Sequence, residues 1–90
     1  MTLRIESNLD DEDVSTVRLI GRLEAENLPE LATLVNDETR TVVLDMSEID
    51  LVDLAAIQFL ARCEASGVGL RNCSMYIKSW IAQEQKSHSF

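Results

Sequence analysis

Four carboxylates crowd one short stretch of the chain: Asp45, Glu48, Asp50 and Asp53. Paired acids at such spacing are the raw material of general acid and base chemistry. Each also has a structural role open to it, Asp45 as a polar strand end, Glu48 and Asp50 as solvated turn residues, and Asp53 as a helix N-cap. Nucleophilic catalysis lacks its parts. The single histidine, His88, stands in a polar tail, GxSxG is absent, and neither Cys63 nor Cys73 has a neighbouring base. The cysteines lack CxxC spacing and read as buried free thiols rather than a redox pair or metal site. The acidic run from Asn8 to Asp13, NLDDED, lacks the spacing and glycine of a calcium loop, and reads as a solvated hairpin connection. Gly21, Gly67 and Gly69 form neither GxGxxG nor GxxxxGK, which excludes a P-loop. Neither an enzyme nor a bound cofactor or metal is expected.

The elements that position these residues centre on Thr41 to Glu64. Val42, Val43 and Leu44 run without polar alternation, as in a strand covered on both faces. Ser47, Glu48 and Asp50 are expected to form a polar turn. Asp53 then caps a helix from Leu54 to Glu64, in which Ala56, Ile57, Leu60 and Ala61 recur at helical spacing. Such a loop sets backbone N–H groups and the positive end of a helix at the exit of a central strand, where open α/β sheets carry their sites.

On either side the pattern is regular. Leu3 and Ile5 alternate with Arg4 and Glu6 in a strand from Thr2 to Ser7, and Val17, Leu19 and Leu23 mark a second from Val14 to Leu23, so the two form an antiparallel hairpin. Gly21, near the end of the second strand, permits a bend. Asn27 is placed to cap a helix with Pro29 in its first turn and Leu28, Leu31, Ala32, Leu34 and Val35 on its buried stripe. Ser66, Gly67 and Gly69 break the central helix, and Val68 to Cys73 form the last strand. Ser74 caps a final helix whose stripe is Tyr76, Ile77, Trp80 and Ile81. Right-handed crossovers put the helices mainly on one face. The expected fold is a small α/β domain, an antiparallel hairpin leading into a mostly parallel four-stranded sheet with three helices. Residues 1–82 form its single domain, and 83–90 a flexible polar tail.

Ninety residues are enough for one domain that buries roughly 60 to 65% of its unfolded surface. Sixteen acidic against eight basic residues, a formal charge of −8, disfavour nucleic acid and anionic membranes, both of which select basic patches. No signal-peptide pattern or membrane-length apolar run occurs, so a cytoplasmic protein without direct membrane insertion is expected.

The stretch VVLDMSEIDLVDLAAIQFL resembles the core signature of STAS domains, the fold of bacterial anti-sigma-factor antagonists, in which a strand ending hydrophobic-Asp-hydrophobic-Ser leads to Asp-Ser-Ser-Gly and a helix. LIGRLEAENLPEL, from Leu19 to Leu31, looks like that family's second strand and first helix, and GVGLRNCSMYIKSWI, from Gly67 to Ile81, like its last strand and helix. One departure stands at the centre. Where the family carries Asp-Ser-Ser-Gly this chain has Asp53-Leu54-Ala55-Ala56, so Ala55 occupies the position of the phosphorylated serine.

The resemblance implies partner switching in transcription regulation, through a protein-interaction module that binds a kinase-like anti-sigma factor. The stretch from Asp50 to Gln58 would form the centre of the contact, with Asp50, Asp53, Leu54, Ala55, Ala56 and Gln58 as its candidate residues. Phosphorylation there would add about −2 charge at the docking point, and Ala55 has no hydroxyl to accept it. Leu54, Ala55 and Ala56 fit a flat apolar interface and fit burial equally well. Ser47 at the end of the central strand and Ser74 at the start of the last helix are the alternative phosphosites, against plainer roles as turn former and cap. The family also includes accessory subunits of ABC-type lipid transporters docked on their ATPase, a second expectation for the partner. A small anionic ligand or nucleotide at the Asp53 helix N-terminus ranks last, because the nearby carboxylates oppose an anion.

Overall fold

The structure, a computed structural model, describes residues 3–9, 13–36 and 40–87. In chain order these form β1 (Leu3–Leu9), β2 (Val14–Leu23), a 3-10 turn (Ala25–Asn27), α1 (Leu28–Val35), β3 (Thr41–Val52), α2 (Leu54–Ala65), β4 (Gly69–Arg71) and α3 (Met75–Ser87). The sheet order is β1-β2-β3-β4, with β1 antiparallel to β2 and the later pairs parallel. The hairpin, the mostly parallel sheet and the three helices stand as expected. The acidic residues 10–12 of the hairpin connection and the tail residues 88–90, with His88, lie outside the described residues.

One face of the sheet holds the core. Val17, Leu19 and Leu23 of β2 and Val42, Leu44 and Met46 of β3 join Leu31 of α1, Ile57 and Leu60 of α2, and Ile77 and Ile81 of α3 in a single buried cluster. The expectation that β3 is covered on both faces is corrected, since Val43 is half-buried on the opposite face. That open face carries a cross-strand row in register, Glu6, Arg18, Asp45 and Arg71, alternating in sign across all four strands. Arg4 pairs with Glu6 at 2.9 Å, and Arg18 pairs with both Glu6 and Glu48. Opposite charges directly across strands are favourable, so the face is self-neutralising.

The predicted polar turn at Ser47, Glu48 and Asp50 is absent: all three lie within β3, which continues to Val52. Strand β2 supplies the reason. It offers partners as far as Leu23, and two register shifts, between Arg18 and Ile20 and between Gly21 and Arg22, each fit an extra β3 residue into the ladder. Each shift breaks the period of two, so the inward positions after Met46 fall at Ile49 and Val52, three residues apart. Gly21, at φ +105°, bends β2 between the two irregularities, a backbone conformation that side chains rarely permit.

Other boundaries also move. Asn27 does not cap α1; its Oδ1 accepts the Glu24 N–H at 3.0 Å, closing the 3-10 turn instead. Strand β4 keeps three residues of the expected six, because Asn72 turns away at φ +59° and its side-chain amide donates to Asp45 Oδ1 at 3.3 Å. Helix α3 runs on past Gln83, where its amphipathic pattern ends. Gln85 Nε2 donates to Glu64 Oε1 at 2.8 Å and ties that last turn to α2. Tyr76 leaves the expected core stripe, 60% exposed, with its ring 5.8 Å from that of Trp80. Among the described residues no helix is long and apolar enough to cross a membrane.

Leu44, wholly buried at the centre of the sheet, sets the scale of the core. Leu44→Ala is expected to cost about 2–5 kcal/mol in urea unfolding, and Val43→Ala on the open face well under half of that.

Candidate functional site

The chain leaves β3 at Val52, and Asp53 takes it into α2 with the extended backbone usual for an N-cap. Its two carboxylate oxygens do different work. Oδ1 accepts the Ala56 N–H at 2.9 Å, capping α2, while Oδ2 accepts the Ala25 N–H at 3.0 Å from the loop that follows β2. The Asp53 N–H in turn donates to the Leu23 carbonyl at 3.3 Å. One residue thus fastens two strand ends and the start of two helical segments. The capping role is legible in the sequence; the bond to Ala25 is not, because it spans 28 residues.

Around that clasp the surface is apolar at its centre and acidic at its margin. Leu51 and Leu54, on either side of Asp53, are 46% and 49% exposed. Ala55 is half-buried beside them, and Ala56 has no exposed surface at all. Ala56 is therefore removed from the expected contact set, while Asp50, Asp53, Leu54 and Ala55 remain together at the end of β3 and the first turn of α2. Gln58 sits one turn further, its side-chain amide directed to Glu84 of α3 at 3.5 Å. Glu24 and Glu26, carried by the loop that Asp53 holds, add carboxylates to the margin. Leu51 lies within the expected contact stretch, but a turn there does not fix which way it points; only the second shift in β3 turns it outward.

The two alternative serines separate. Ser47 stands mid-strand at the first shift, five residues short of the β3 end, and its N–H donates to Asp45 Oδ1 at 3.0 Å. That bond, opposed by desolvation and helped by the Ser47 hydroxyl, the Asn72 amide and the Arg18 charge, holds the Asp45 carboxyl below its ordinary pKa of 3.8. Ser74 is the expected cap of α3, its Oγ accepting the Ile77 N–H at 3.3 Å. Neither serine stands beside Asp53.

Chemistry of other kinds finds no cluster here. Among the described residues no three His, Cys, Asp or Glu side chains come together as a metal site. Cys63 is buried and Cys73 half-buried, both free; burial pushes the Cys63 thiol up to about 11 and raises that of Cys73. Four surface recesses lie around α1, α2, β4 and α3, and none of these four is lined by Asp53, Leu54 or Ala55.

Solved structures share this architecture. The anti-sigma factor antagonist SpoIIAA in its unphosphorylated form matches with a TM-score of 0.60 at 14% identity, over 84% of this chain and 79% of its own. An anti-sigma-factor antagonist STAS domain from Rhodobacter sphaeroides matches at 0.58 and 19% identity, over 81% and 92%. A SpoIIAA-like fold protein from Shewanella loihica matches at 0.56 and 13%, over 97% and 79%. No family model and no curated protein sequence matches the chain. The chain has the STAS fold.

Two outcomes test this geometry. Asp53→Ala, which orphans the Ala25 and Ala56 amides, is expected to lose about 1–3 kcal/mol of unfolding free energy, with Asp53→Asn losing less. Native Cys63 is expected to resist alkylation at pH 8 until the chain unfolds, a result checked by mass spectrometry with and without urea.

Proposed function

We propose that this chain is a non-catalytic STAS-type protein-interaction module, acting in the cytoplasm as an anti-sigma-factor antagonist whose serine switch is missing. The observation that carries the reading is the pair Leu51 and Leu54, large apolar side chains half exposed on a rigid, capped strand-to-helix junction. An exposed apolar centre with a polar rim is the anatomy of an interface. Asp50 and Asp53, with Glu24 and Glu26 on the neighbouring loop, make that rim acidic, which suits a partner presenting basic side chains around an apolar pocket.

Ala55 gives the module its regulatory character. A phosphate at this position would set about −2 charge beside the docking residues and repel a partner, and a methyl group cannot carry one. Association is then constitutive or regulated elsewhere. The same feature supports the second reading, a subunit held permanently on the ATPase of an ABC-type lipid transporter, because a lasting complex needs no release switch. Neither reading involves nucleic acid.

Capture from native lysate separates them. A soluble histidine-kinase-like ATPase is the expected partner, an ABC ATPase would favour the second reading, and recovery of neither class would count against both. With the purified partner, Leu54→Asp is expected to weaken binding by about 2 kcal/mol, roughly 30-fold, while leaving the thermal melt close to wild type. A partner kinase is expected to phosphorylate Ala55→Ser and not the wild-type chain; phosphate on wild-type Ser47 or Ser74 would contradict loss of the switch.

A further inference from the structure

Strand β1 stands at the edge of the sheet with β2 as its one strand neighbour among the described residues. Its other edge offers the backbone N–H and C=O groups of every second residue of LRIESNL, a strand with no proline in it and no register shift against β2. Proteins normally blunt such edges, because an open ladder is a template for another strand. Here the side chains favour one template in particular.

We propose that β1 pairs antiparallel with β1 of a second copy of this chain, about a two-fold axis through Ile5. Antiparallel pairing of a strand with itself joins residues of equal parity, so few registers exist. With Ile5 opposite Ile5 of the second copy, each Arg4 faces a Glu6 and each Leu3 faces a Ser7. Moving the axis by one residue either way sets Arg4 against Arg4 or Glu6 against Glu6. Like charges directly opposite are destabilising, so the sequence selects the central register from both sides.

The faces agree as well. Ile5 stands opposite Leu19 of β2 and packs against the core, so the dyad brings two half-buried isoleucines together on the helix-covered side. Arg4 and Glu6 lie on the other side, Glu6 in the alternating charge row with Arg18 and Asp45. The dimer extends that row across the axis as an eight-stranded sheet. The Arg4 side chain is 73% exposed, and its ion pair among the described residues lies within its own strand, with Glu6, so its guanidinium can swing across the axis. This interface lies on β1, separate from the Asp53 junction, and its test is independent of the partner proposed above.

Sedimentation velocity of the full chain up to about 1 mM is the experiment, a range that populates even weak complexes. The wild type is expected to pass from monomer to dimer with concentration. Arg4→Glu sets two carboxylates face to face at each cross-axis pair, and Glu6→Arg sets two guanidinium groups there. Each variant is expected to remain monomeric with wild-type circular dichroism. An equimolar mixture of the two is expected to dimerise, since both cross-axis pairs of the mixed dimer become opposite in charge. A wild-type monomer throughout would overturn the proposal, as would an Arg4→Glu variant that dimerises like the wild type. Should Glu6→Arg fail to fold beside Arg18, Arg4→Glu decides alone, with Arg4→Ala expected to dimerise more weakly than wild type and less weakly than Arg4→Glu.

Discussion

A single carboxylate holds together the end of the molecule where β3 passes into α2. Asp53 divides its oxygens between the first turn of α2 and the loop after β2, and through its own N–H it reaches the end of β2 as well. Backbone N–H groups at a helix start need acceptors wherever water is scarce, and a side chain that meets two of them from different parts of the chain converts local caps into a tertiary joint. The exposure of Leu51 and Leu54 depends on that joint. Two leucines left half in water on a loose loop would fold inward; on a clasped junction they stay presented.

The second constraint is the length of β3 against its neighbours. β2 accompanies it to Val52, whereas β4 stops at the level of Asp45. The extra β3 residues are absorbed at two register shifts, which carry Ser47 and Glu48 and then Asp50 and Leu51 to the exposed side while Met46 and Val52 stay in the core. Twelve residues of strand therefore present both a buried wall and an exposed margin, a result that simple alternation does not produce. On the open face the charges answer one another across four strands, so much of the net acidity is left to the loops, including the one that carries Glu24 and Glu26.

The fold was largely readable in advance, because local patterns governed it. Alternation in β1 and β2, the capping residue before α2 and the glycines after it, and the Ser74 cap of α3 are all signals that act within a few residues. What escaped was long-range. The polar letters Ser47, Glu48 and Asp50 look like a turn, and only the partner strand keeps them extended. Asn27 looks like the cap of α1 and serves the preceding turn. At the candidate site the cap formed by Asp53 was legible, because it is local, and the orientations of Leu51 and Ala56 were not. Their exposure and burial follow from the strand register and helix phase of the assembled domain.

The central claim is that the junction between β3 and α2 is the docking surface. Amide chemical-shift mapping tests it most directly, by adding the protein partner captured from lysate to the isotope-labelled chain. The account predicts that the largest changes fall from Asp50 to Gln58 and on the Glu24–Glu26 loop, and that β1 and the open sheet face change little. Changes concentrated on the open face or on α3, with Leu51, Leu54 and Ala55 unmoved, would contradict it.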